Sequence, residues 1–279
     1  MSLENPAAPL IHPTAIVHPG ARLGEGVQVG PYAVIEGPAQ IGAGCVIQAH
    51  AVITGWVRMG ANNTIGYGAI IGADPQDYAF DPATESWVVI GDNNRIREYA
   101  TLHRGTGAGA ETRVGNNCFL MTGVHVGHNS VIADHVVIAN NVLLGGHVHI
   151  GPKVFIGGGA VFHQFVHVGR QAIIQGNSSM SKNVPPFLIA AEVNLVFGIN
   201  VVGLRRSGMT APQRQEVKDA FKLLYKSGLN TSQALAAARE RQWGEQGKAF
   251  FDFVAGANTR GICDLMVTRV GGGRPAQSE

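Results

Sequence analysis

Residues 114–144 read VGNNCFLMTGVHVGHNSVIADHVVIANNVLL, and every sixth one is apolar: Val114, Leu120, Val126, Ile132, Ile138 and Leu144. The same step runs outward in both directions. Upstream it takes in every sixth residue from Ile11 to Ile71, then Ile90, Ile96 and Leu102; downstream it continues through Ile150, Ile156, Phe162, Val168 and Ile174 to Met180. All of these positions are apolar in a chain that is 45% apolar overall, so the period is a property of the fold. The residue after the apolar one is most often Gly, as at Gly24, Gly30, Gly127 and Gly145, and the residue four after it is small or β-branched, as at Ala15, Ala33, Ala51, Val124 and Ser130. A period of six fits no helical stripe, which would repeat at three and four. It fits a prism in which the apolar residue fills the interior, the small residue sits beside it and Gly supplies backbone freedom at a corner. Three hexads close one coil of eighteen, and strands of successive coils stack in parallel at ~4.8 Å. The expected fold is mainly β, a parallel β-helix over residues 1–188.

The breaks in register are informative. From Ile71 to Ile90 the step is not a multiple of six, so residues 73–88 (ADPQDYAFDPATESWV) must leave the prism as a loop. Around Ala108 the register holds but the anchor is weak, which marks 105–113 as a candidate second excursion. After Pro185 and Pro186 the hexads stop, and residues 189–279 read as a small α-helical domain. Thr210 with Gln213 forms a capping box ahead of a helical stripe through Val217, Phe221 and Leu224; Asn230 with Gln233 opens a second helix, residues 245–255 a third. The tail GGGRPAQSE is expected to be disordered. One task for such a domain is to cover the open edge of the last coil.

Composition excludes several classes. The 21 basic and 19 acidic residues nearly cancel, which argues against a nucleic-acid partner. Cys45, Cys118 and Cys263 are odd in number and scattered, giving neither a disulfide framework nor a metal clasp, as expected in a reducing compartment. There is no apolar run long enough to span a membrane and no signal-like start, so a cytoplasmic location is expected.

Counting in eighteens organises the histidines. His128, His147 and His163 all fall outside the interior positions, and adding eighteen to 128 twice gives 146 and 164, beside the other two. The expectation is three imidazoles, with Gln164, along one outer face over roughly 10 Å of axis. Two chemistries fit such a row. One His could act as general base toward a sugar hydroxyl, its ordinary pKa of ~6.5 suiting neutral pH. Alternatively three His could hold Zn²⁺ with an open site for water, as in a hexapeptide-repeat carbonic anhydrase. A non-catalytic scaffold is a third reading, and spacing leaves all three open.

The strings IGDNNRIREYATLHRGT (residues 90–106), LMTGVHVGHNSVIADHVVIANNVLLGGHVHIG (120–151), AVFHQFVHVG (160–169) and VPPFLIA (184–190) narrow the choice. Together they resemble the UDP-N-acetylglucosamine 3-O-acyltransferases of lipid A synthesis, members of the left-handed hexapeptide-repeat superfamily, from about residue 11 into the helical domain. The resemblance implies a left-handed coil and transfer of a 3-hydroxyacyl chain from acyl-carrier protein to the sugar 3-position, without cofactor or metal. It implies that His128 is the general base and the Gly146 N–H the oxyanion donor. Gln76 and Asp77 would be lid residues at the substrate, and His125, His147, His163 and Gln164 contacts to sugar, phosphate or acyl group. Gly176 would leave the acyl pocket open to a long chain. Asn200 and Arg206 would meet the nucleotide. It further implies a homotrimer with sites in the clefts between subunits; because an acyl-carrier protein is acidic, Arg205, Arg206 and other basic residues of the helical domain are candidates for its docking. Two positions depart from the family: Ala79 stands where a Lys is common, and Val202 where an acidic residue is. These departures keep a 3-amino acceptor, giving an amide, as the alternative.

Overall fold

The computed structural model describes residues 8–257 and 259–266. Three β-sheets of 12, 9 and 8 strands, parallel throughout the hexad region, wall a triangular prism, each coil giving one short strand to each sheet. In the 9-stranded sheet Val126 pairs with Leu144 and Leu144 with Phe162, steps of eighteen. The backbone is paired from coil to coil, as in Gly127 N–H to Leu144 O at 2.9 Å and Gly145 N–H to Phe162 O at 3.0 Å. Both biased positions of the hexad point inward: Ile53, Leu120 and Ile138 are fully buried, and so are Ala33, Val124 and Val148 in the small-residue position. Cys45 and Cys118 occupy that same position, their thiols pushed up by burial, Cys118 to about 11. The prism is least filled at its first coil, where Ile11 is 45% exposed.

The corners correct one expectation. Apart from Gly72 (φ 90°), the glycines that follow the apolar residue are not there for an unusual φ; a Cβ at Gly127 would lie 2.7 Å from the backbone of Gly145, so what demands Gly is the close stacking of coils. Left-handed φ falls two residues later, on Asn117, Asn129, Asn141 and His147 among others. Asn suits that position because its short polar side chain tolerates it.

Both breaks in register are visible in the pairing. Ile65 pairs with Ile96 and Ile71 with Leu102, steps of 31, across the first excursion. Ile96 pairs with Leu120 and Leu102 with Val126, steps of 24, so one further hexad, near Ala108, leaves the wall. The first loop is held at its root by Arg104, which is 2% exposed. Its guanidinium pairs with Asp74 at 2.8 Å, donates to the carbonyls of Pro82 and Thr84, and lies against the rings of Trp56 and Phe80.

The 12-stranded sheet does not stop with the hexads. Strand Leu188–Ala191 continues it in parallel, and Leu195–Ile199 then turns antiparallel, pairing in its turn with Asp264–Leu265. Four helices follow: α1 (Val201–Arg206), α2 (Ala211–Tyr225), α3 (Thr231–Arg239) and α4 (Glu245–Ala255). Capping boxes at Thr210 and Asn230 start α2 and α3. The start of α4 is satisfied from α2, where the Glu216 carboxylate accepts from the N–H groups of Gly244 and Gln246. The tail expected to be disordered lies outside the described residues.

Candidate active site

The corner joining the 9- and 8-stranded sheets carries His128, Gly146 and Gln164 in one column: His128 O accepts from His147 N, and Gly146 O from Phe165 N. The His128 ring lies directly over Gly146. A Cβ built there would sit 2.5 Å from both Nε2 and Cε1 of the imidazole, so any side chain would push the ring away. Among the described residues no backbone acceptor takes the Gly146 N–H. An imidazole ring and an amide N–H that no backbone acceptor takes are therefore neighbours at this corner.

His147, one position further on, meets His128 edge-on at 5.2 Å between ring centroids. It stacks not on His163 but on Phe165, at 4.5 Å with planes 12° apart. This corrects the expected row: 163 lies one place before the column and 147 one place after it, so Phe165 fills the slot. His163 is exposed, its Nδ1 3.4 Å from the Gln164 carbonyl, and Gln164 is exposed beside it.

The cluster grows in a direction the eighteen-residue count does not show. His125, on the outer side of its strand, stands 4.9 Å from His103 and shares a 2.9 Å hydrogen bond with Thr101 Oγ1. Burial, and then the His103 ring, hold His125 down at about 4. His103, also lowered chiefly by burial, meets the Asp74 carbonyl through Nδ1 at 2.6 Å; a carbonyl only accepts, so that nitrogen carries the proton. His147 is lowered by burial and by His128. The group around His128 is thus predominantly neutral near pH 7. A count of eighteen does not bring His103 to this cluster, because the step from Leu102 to Val126 is 24.

Asp74 is also the root of the first loop, so the loop leaves the wall next to His103. Its tip is open: Gln76, Asp77, Tyr78 and Ala79 are exposed, and Asp77 Oδ1 accepts from the Ala79 N–H at 2.9 Å. Gly176 stands at a different corner, between the 12- and 9-stranded sheets, where its Cβ would meet Gly158 O at 3.0 Å. Asn200 is buried and caps α1: Oδ1 accepts from Gly203 N–H and Nδ2 donates to Gln171 O, both at 2.9 Å. Arg205 and Arg206 are exposed in the last turn of α1, and Val202 is 60% exposed. Among the described residues no three His, Cys, Asp or Glu side chains converge as metal ligands would. Nor is any helix there long and apolar enough to cross a membrane.

The coil and its corner site define a hexapeptide-repeat transferase, and residues 20–55 and 111–146 match the model of the bacterial transferase hexapeptide. Residues 183–263 match a model described as UDP N-acetylglucosamine O-acyltransferase, domain 2. Among curated relatives, the acyl-(acyl-carrier-protein)-UDP-N-acetylglucosamine O-acyltransferase of Paracidovorax citrulli is 50% identical, covering 90% of this chain and 98% of that protein. Its namesake from Myxococcus xanthus is 49% identical, covering 82% and 89%. Of solved structures, the UDP-N-acetylglucosamine acyltransferase of Francisella novicida superposes with a TM-score of 0.88 at 36% identity, covering 93% of this chain and 95% of that one. That of Bacteroides fragilis gives 0.85 at 38%, covering 91% and 99%. The chain belongs to the acyl-(acyl-carrier-protein)-UDP-N-acetylglucosamine O-acyltransferase family, and its fold is the left-handed parallel β-helix. Neither the zinc hydratase nor the amide-forming alternative finds support in these likenesses.

Proposed function

We propose that this chain transfers a 3-hydroxyacyl group from an acyl-carrier protein thioester to the 3-hydroxyl of UDP-N-acetylglucosamine, at the corner built by His128 and Gly146. Nε2 of His128 removes the hydroxyl proton as the oxygen attacks the thioester carbonyl carbon. Charge then collects on the carbonyl oxygen, and the Gly146 N–H donates to it. When the tetrahedral species collapses, the C–S bond breaks, and the carrier thiolate takes back the proton held by His128. The observation that supports this reading is the packing of the His128 ring over Gly146, which makes a candidate base and a candidate oxyanion donor neighbours.

The remaining assignments follow the same frame. Gln76 and Asp77 close over the sugar from the loop, and His125, His147, His163 and Gln164 line its approach. The side-chain-free corner at Gly158 and Gly176 leaves room for a long acyl chain. Asn200 serves the nucleotide by holding α1, and Arg206 offers its charge to the phosphates. Together with Arg205 it is also a candidate contact for the carrier protein. The working form is a homotrimer, a reading supported by apolar residues left exposed on the outer side of the 9-stranded sheet, Ile16, Ile70, Leu143 and Val161. We place it in the cytoplasm, in keeping with three unpaired buried cysteines. The test is single-turnover transfer: His128→Ala lowers the rate at least ~10²-fold, and a variant within a few-fold of the parent removes His128 from the role.

A further inference from the structure

Asn129 follows His128 in the chain and takes three donors on one atom. Its Oδ1 lies 2.9 Å from His128 Nδ1, 3.1 Å from Thr106 N and 3.0 Å from Thr106 Oγ1. A backbone N–H can only donate, so the amide atom facing Thr106 is the oxygen and not the nitrogen. The same oxygen faces His128, so Nδ1 carries the proton and the lone pair is left on Nε2, the nitrogen over Gly146. Asn129 is fixed from below as well: its N–H donates to Thr112 Oγ1 at 2.7 Å, and its backbone runs at φ 59°. Thr106 sits at the start of the hexad that leaves the wall, and Thr112 directly after it. That excursion therefore brings two hydroxyl-bearing residues against the neighbour of the base.

We propose that Thr106 is a positioning residue: its N–H and hydroxyl hold the Asn129 amide with its oxygen toward His128, which keeps His128 in the tautomer whose Nε2 can accept a proton. If the amide turned over, Nδ2–H would face Nδ1 and favour the opposite tautomer, with Nε2 protonated and useless as a base. A neutral amide has a wrong face, and that is why it needs a clamp. A carboxylate has none, since both of its oxygens accept. The inference rests on His128 acting as base, and the experiment separates the two.

The experiment measures kcat and KM for both substrates across the pH plateau, because His103 and His147 also face His128 and titrate. Thr106→Val keeps the N–H and loses the hydroxyl; it lowers kcat about 10-fold with KM little changed, and Thr106→Ser restores it. In an Asn129→Asp background the same Thr106→Val change costs less than about 2-fold, because no wrong face remains. A Thr106→Val enzyme with parental kcat overturns the proposal, and so does an equal loss in both backgrounds, which is what a merely structural role gives. His128→Ala is measured alongside: activity retained there takes down the base itself, whereas activity lost there without coupling between Thr106 and Asn129 takes down only the positioning role.

Discussion

At the scale of single residues the account depends on Gly146 having no side chain. Gly146→Ala places a methyl where the His128 ring lies, so kcat falls by at least ~10² while the fold, read by circular dichroism, is unchanged. His125 gives a prediction about pH. Its folded pKa of about 4 lies below the ~6.5 of a free imidazole, so between these values the unfolded chain binds the extra proton. Stability is therefore level above about pH 6.5 and declines as pH falls toward 4. Thermal melts of His125→Gln across this window show a shallower decline than the parent, and an identical slope contradicts the assignment. Some of the site was legible in the sequence and some was not, for one reason. His128, His147 and Gly146 lie above both excursions, where a count of eighteen is valid. His103 lies below the second one, where the step is 24, and Asn129 and Thr106 gain meaning only from side-chain hydrogen bonds that no period encodes.

At the scale of elements, the hexad pattern fixed the wall because each inward residue is repeated and checked by its neighbours in the coils above and below. Leu120 is fully buried in mid-prism, and Leu120→Ala costs about 2–5 kcal/mol in denaturant unfolding. The loops are less redundant. Arg104 makes the largest set of side-chain bonds to the first loop, beside the His103–Asp74 contact, and Arg104→Leu leaves the carbonyls of Pro82 and Thr84 without their donor. A loss of about 2 kcal/mol is felt locally, as roughly 30-fold faster proteolysis within residues 76–84 and a smaller change in global melting. Strand Leu188–Ala191 escaped the sequence reading because it extends the sheet after the period has ended; its place is set by pairing with Ile173 and Ile174, not by a pattern of its own.

For the whole molecule, a prism with a strip of exposed apolar residues on one sheet is an incomplete object. Replacing Leu143 and Val161 together by Glu is expected to convert a trimer into monomers in sedimentation velocity, leaving the coil intact by circular dichroism. A parent that sediments as a monomer of 29.4 kDa, or a double variant that stays trimeric, contradicts this. The central claim, O-acylation at the His128 corner, has a more direct test. The purified protein is given a mixture of 3-hydroxyacyl carrier-protein thioesters with UDP-N-acetylglucosamine and its 3-amino analogue, and products are identified by mass and fragmentation. The account predicts one long-chain ester at the sugar 3-position, formed equally well in the presence of a chelator and absent with His128→Ala. An amide as the main product, loss of activity on chelation, or undiminished ester formation by His128→Ala would contradict it.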